Sequence, residues 1–143
     1  MRMALFVACA ACAAMPRNGE VLGDTVREYN EHVKWERFDR ASMFVPSAQR
    51  ASRVDEWDER AHDLKLITVD VVKIDRRGDR EARVQVKLEW YRASENTVHE
   101  TQAVQTWERR GKDWLVVDEA RLRGPEMPGL PEPLMRDTPS RAP

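Results

Sequence analysis

Residues 80–123, REARVQVKLEWYRASENTVHETQAVQTWERRGKDWLVVDEARLR, decide the fold. In this stretch Ala82, Val84, Val86, Leu88 and Trp90 alternate with Arg83, Gln85, Lys87, Glu89 and Tyr91. That period of two puts successive side chains on opposite faces of a strand. Residues 97–108 and 113–122 make two further strand-like runs, and the links are short: residues 93–96 are polar, and residues 109–112 contain Gly111. Upstream, residues 65–75 are rich in valine and isoleucine and read as the first strand, turning through residues 76–79 with Gly78. The spacing predicts a four-stranded antiparallel meander.

Helical patterns come before it. Thr25 with Glu28 three places on fits a capping box, and Val26, Tyr29 and Val33 mark one helical face. Trp35, Phe38, Ala41, Phe44 and Val45 fall out of that phase, which predicts a bend or a second segment ending before Pro46. A second cap at Ser52 and Asp55 leads Val54, Trp57, Ala61 and Leu64 at helical spacing. The fold class is therefore α+β, with N-terminal helices packed on a curved four-stranded antiparallel meander sheet over residues 24–123. Residues 16–23, with Gly19 and Gly23, read as a tether. Residues 124–143 carry six prolines and little apolar periodicity, and read as a flexible tail.

Hairpin geometry with turns of two or four residues sets an expected register. Trp107 then opposes Trp114, Gln105 opposes Val116, Ala103 opposes Asp118, Trp90 opposes His99 and Leu88 opposes Thr101, while Val71 lies beside Val84 and Val69 beside Val86. One face collects Ile67, Val69, Val71, the even-numbered residues 82–90, Ala103, Trp107, Trp114, Val116, Ala120 and Leu122, and the helices should cover it. Its polar members, with a helix tyrosine and the tryptophans, define a candidate pocket: Tyr29, Trp90, His99, Thr101, Gln105, Trp107, Trp114 and Asp118. A buried carboxylate costs several kcal/mol unless paired, so Asp118 must find partners, protonate or face a wet cavity. The other face carries Leu66, Val72, Tyr91, Val98, Val104, Leu115 and Val117 among charged residues, a candidate partner face that a homodimer would cover.

Composition narrows the function classes. The 143 residues suit one domain, and 24 basic against 25 acidic residues are interleaved without a basic stripe, so nucleic acid is not an expected partner. His32, His62 and His99 lack zinc spacing, and neither a metal nor another cofactor is expected. Both cysteines, Cys9 and Cys12, precede the domain, which leaves it without a disulfide or a thiolate nucleophile. No serine sits in a nucleophile-elbow context.

Residues 1–15 read as a targeting segment: Arg2 is followed by twelve uncharged apolar or small residues from Met3, too few for a bilayer-spanning helix of about 20 residues. Ala10, Ala11 and Cys12 resemble the end of a bacterial lipobox, which implies lipidation of Cys12; Cys9 stands where that motif has leucine. Simple cleavage after Ala13 or Ala14 is the competing reading. The expected place is the cell envelope on the periplasmic side, either membrane-anchored or soluble.

Helices followed by a meander whose last hairpin carries Gln105, Trp107, Gly111 and Trp114 resemble the nuclear transport factor 2-like superfamily. Its members form a cone with a pocket. Asn30, Trp35, Phe38, Ala41, Val45, Pro46 and Arg50 also look like those of small exported bacterial proteins without an assigned activity. The superfamily holds isomerase-like enzymes as well as binding and dimerisation modules, so fold cannot choose between them. The expectation is a noncatalytic, lipid-anchored module that binds a small apolar ligand or a protein partner. The alternative, on the pattern of the isomerase-like members, is a small isomerase or dehydratase with Asp118 as the candidate base, Tyr29 as the candidate donor to the enolate, and Gln105 and Thr101 orienting substrate.

Overall fold

In the computed structural model, residues 18–132 are described. The leader with Cys12, the start of the tether and residues 133–143 lie outside them. Three helices, α1 (Asn18–Lys34), α2 (Phe38–Ser42) and α3 (Arg50–Ala61), precede four strands, β1 (Leu64–Arg77), β2 (Glu81–Arg92), β3 (Val98–Arg110) and β4 (Asp113–Arg123). The strands form one antiparallel sheet in sequence order, so the α+β meander is as the alternation predicts.

Helix α1 begins earlier than the Thr25 cap implies, and part of the expected tether is helical. Leu22, Val26, Tyr29 and Asn30 are buried at spacings of four, three and one, the stripe that seats this helix on the sheet. Thr25 is inside the helix, and its hydroxyl donates back to the Val21 carbonyl at 2.7 Å instead of capping. The helix stops where Glu36 enters the left-handed region (φ 56°) and the Arg37 N–H bonds the His32 carbonyl at 2.8 Å. After α2, a 3-10 turn (Ser47–Gln49) leads into α3, so Ser52 is also internal; its hydroxyl donates to the Gln49 carbonyl. Arg50 ties this corner by donating from Nε to the Ser42 and Val45 carbonyls, each at 3.1 Å.

The β2–β3 hairpin has the expected register: Trp90 opposite His99, Leu88 opposite Thr101, Val86 opposite Ala103. The flanking strands differ. Gly111 (φ 64°) and Lys112 make a two-residue turn between Arg110 and Asp113, so Trp114 opposes Arg109 and Trp107 opposes Val116. An extra residue, Val117, then shifts the ladder, leaving Asp118 opposite Thr106 and Glu119 opposite Gln105; Leu122 shifts it again. Strand β1 bulges at Ile67 and Val72, so Val71 lies beside Val86, Val69 beside Leu88 and Ile74 beside Val84. One inserted residue turns everything beyond it to the opposite face. Hence Leu66 and Ile74 pack against the core, whereas Ile67, Val72 and Leu122 are exposed.

The core lies between the helices and the inner sheet face. Tyr29, Phe38 and Trp57 from the helices meet Val84, Val86, Leu88, Trp90, Trp107, Trp114 and Val116. Burying each large apolar side chain contributes about 1.5–3 kcal/mol, more than an exposed ion pair at about 1 kcal/mol or less. The first part of the proline-rich tail joins this core: Met127 and Leu130 are buried, so residues 124–132 form a strap. The Arg121 N–H bonds the Pro131 carbonyl at 2.8 Å, and its guanidinium forks onto Glu132 at 2.7 and 2.6 Å. Gly124 (φ 91°) permits the turn into the strap, since a Cβ there would lie 2.7 Å from the Glu100 carbonyl oxygen.

Candidate functional site

The inner face carries a closed hydrogen-bond network where the sequence suggests a pocket. Gln105 donates from Nε2 to Asn30 Oδ1 at 2.8 Å, and Asn30 Nδ2 returns a bond to Gln105 Oε1 at 3.2 Å. Asn30 Nδ2 also donates to the Val26 carbonyl, and Trp107 Nε1 donates to Gln105 Oε1 at 3.2 Å. The two amides thus use their donors and acceptors on each other and on their neighbours. Toward the other end of β3, Trp90 Nε1 donates to Thr101 Oγ1 at 3.0 Å, and that hydroxyl donates to the Pro125 carbonyl at 2.8 Å.

The inward carboxylate is Glu119. It accepts from the Tyr29 hydroxyl at 3.3 Å, and Tyr29 stands edge-on to Trp107 with ring centres 5.4 Å apart. Burial pushes the Glu119 pKa above the ordinary carboxylate range, against the pull of Arg53, Arg60 and the Tyr29 bond. Burial and the neighbouring Glu119 charge hold Tyr29 well above the usual phenol value, so it stays a neutral donor. Burial likewise lowers Arg60, opposed by Glu119.

These side chains leave almost no space. Tyr29, Trp57, Arg60, Leu88, Glu119, Met127 and Leu130 surround a cavity of about 10 Å³, on the order of one water at most. Met127 and Leu130 of the strap close it.

The structure gathers Tyr29, Gln105 and Trp107 at this centre and puts Trp90 and Thr101 beneath the strap. Trp114 is buried nearer the β3–β4 turn, with the Arg76 guanidinium 5.5 Å from its ring centre. His99 is half-buried at the rim, its ring centre 4.5 Å from Trp90 and its Nε2 3.4 Å from Glu95. Asp118 is exposed on the outer face. The Val117 bulge exchanges the two carboxylates, so Asp118 cannot act as a pocket base. Glu119, Asn30, Arg60, Met127 and Leu130 escape sequence reasoning. The Val116–Val117 doublet is where parity changes, and because both residues are apolar the pattern allows the change without revealing it.

On the outer face Val72, Val98 and Tyr91 are exposed and Val104, Leu115 and Val117 half-buried, while Leu66 has moved to the core side. A separate groove of about 440 Å³ lies between α3 and the strap, lined by Arg60, Asp63, Leu64, Arg92, Pro128 and Gly129 among others. Among the described residues no His, Cys, Asp and Glu side chains converge as a metal site, and no helix is long and apolar enough to cross a membrane.

No family model and no curated protein matches the chain. Solved structures do resemble it. A SEC-C motif containing protein from Rhodopseudomonas palustris, RPA3114, aligns with a TM-score of 0.59 at 10% identity, covering 74% of this chain and 89% of that one. The intermembrane space region of the chloroplast protein ARC6 aligns with a TM-score of 0.52 at 14% identity, over 76% of this chain and 98% of that one. At such identities the likeness is one of fold.

Proposed function

We propose that this is an exported envelope protein, anchored through a lipid on Cys12, whose domain is a noncatalytic partner-binding module of nuclear transport factor 2-like architecture. The observation that carries the noncatalytic, partner-binding part of this reading is the filled interior. A pocket enzyme needs room for substrate beside a free acid or base, commonly a few hundred Å³. Here the central cavity is about 10 Å³, with the Tyr29 hydroxyl bonded to Glu119 and Asn30 bonded to Gln105 beside it. The same filling argues against an apolar ligand inside the cone. Recognition then falls to the outer sheet face, where Tyr91, Val98 and Val104 provide apolar area among charged residues. The lipid on Cys12 and the few residues between it and α1 would hold this face near the periplasmic side of a membrane.

The test is mass spectrometry of the protein purified from its native membrane. It should report an acyl chain that Cys12→Ser removes, and a co-purifying protein that is lost when Val98 and Val104 are both replaced by glutamate. An unmodified Cys12 would remove the anchor, and a stoichiometric small molecule with no protein partner would overturn the partner-binding role.

A further inference from the structure

The sheet has two outer edges, and they are treated differently. The edge of β4 is met by the rest of the chain: the Val116 N–H bonds the Phe44 carbonyl and the Arg121 N–H bonds the Pro131 carbonyl, both at 2.8 Å. Among the described residues, no turn, loop or strap makes a backbone hydrogen bond to the outer edge of β1. An open groove of about 550 Å³ runs beside it, floored by Val69 through Ile74 and walled by Arg27 and Glu31 of α1. A row of unpaired backbone donors and acceptors is a template for another strand.

The sequence of that edge specifies the strand. Residues 68–75 read TVDVVKID, a pattern nearly symmetric in polarity about the Val71–Val72 step. Thr68, Asp70, Lys73 and Asp75 share the outward face, while Val69, Val71 and Ile74 turn inward; the Val72 bulge makes this parity symmetric as well. When two copies are laid antiparallel about a twofold axis at the Val71–Val72 step, outward residues meet outward residues and Val69 meets the partner's Ile74. Asp70 then faces the partner's Lys73, and the symmetry makes that opposite-charge pair twice. Asp70, Val72 and Lys73 are all exposed in the single chain, and Val72, at 55% exposure, would lie at the axis.

We propose that the protein self-associates edge to edge through residues 68–75 of β1, joining two sheets into one of eight strands. This contact shares only Val72 with the outer-face residues named above and is independent of the envelope reading. A bulge and an exposed lysine are also devices that shield an edge from pairing. What favours pairing is Asp70, which gives that lysine a complement at the position related by the axis.

Sedimentation equilibrium of the full chain in density-matched detergent tests this. The wild type should be a dimer. Asp70→Lys and Lys73→Asp should each weaken the dimer by at least about tenfold, because each puts like charges opposite one another twice across the axis. The double variant restores the pairs with exchanged signs and should recover the wild-type affinity, and Val104→Glu on the outer face should leave it unchanged. A wild-type monomer at the highest soluble concentration would overturn the proposal, the bulge and charges then serving to protect the edge. A double variant as weak as the single ones, or dissociation by Val104→Glu, would overturn it equally.

Discussion

The β2–β3 hairpin and the two strands that flank it follow different rules. Strands β2 and β3 pair without interruption from Glu81–Glu108 to Tyr91–Val98, whereas β1 and β4 each bulge twice. A central strand has a ladder on both sides, so an inserted residue would break hydrogen bonds with two neighbours. An outer strand answers to one neighbour only and can bend to wrap the helices. Regularity therefore sits at the centre of the sheet, and re-aimed side chains sit at its margins. The core is built on the first region and the unusual chemistry of Glu119 on the second.

The largest blow to the central region is Trp107→Ala. Trp107 is fully buried, packs edge-on against Tyr29 and donates to Gln105, so the variant should lose about 3–5 kcal/mol in denaturant unfolding. Gln105→Leu should follow, because it keeps the volume but leaves Asn30 and Trp107 Nε1 without their partner; a loss of about 2–3 kcal/mol is expected. Adding Asn30→Leu should recover part of that loss. Equal losses in the single and double variants would show that the amide pair is not a unit.

At the margin the effects are smaller and local. Gly124→Ala places a methyl group against the Glu100 carbonyl at a positive φ and should cost about 1–2 kcal/mol. Hydrogen exchange should localise the loosening to the strap and the strands beneath it. Uniform loosening of the whole sheet would mean that residues 124–132 are integral to the central region after all.

This division also explains what could be read from the chain. The strands, the central register and the burial of Trp90, Trp107 and Trp114 follow from an alternation that has only one consistent solution. The bulges were illegible for a physical reason: three of the four fall in the apolar doublets Leu66–Ile67, Val71–Val72 and Val116–Val117. Within such a doublet either residue can face the core, so polarity does not reveal a change of parity. Beyond the third doublet, Asp118 and Glu119 carry the same charge, and the pattern cannot say which is buried. The strap was hidden differently, since Met127 and Leu130 are isolated apolar residues among prolines and their burial depends on a surface made by distant strands. The helix starts are ambiguous in the chain because Thr25 and Ser52 bond backward inside helices with the same hydroxyl that would cap an end.

The finest test of the contrast compares those two adjacent carboxylates by pH. Because burial raises the Glu119 pKa, the folded protein holds that proton more tightly than the unfolded chain does. Below the ordinary glutamate pKa both states are protonated and Glu119 has no effect on the balance. As pH rises from that value to the raised one, the unfolded state loses the proton first, and stability falls. Glu119→Gln keeps an acceptor for the Tyr29 hydroxyl and removes the titration, so the fall should flatten and the variant should be the more stable one above that window. Asp118→Asn, one residue away but exposed, removes a neighbouring charge that adds less than burial does to the raised Glu119 pKa, so the fall should persist over at most a narrower window, and stability should change by no more than about 0.5 kcal/mol. Thermal unfolding from pH 4 to 8 reads both. If Asp118→Asn flattened the curve while Glu119→Gln did not, the bulge at Val117 would be misplaced and the margin of the sheet would be as regular as its centre.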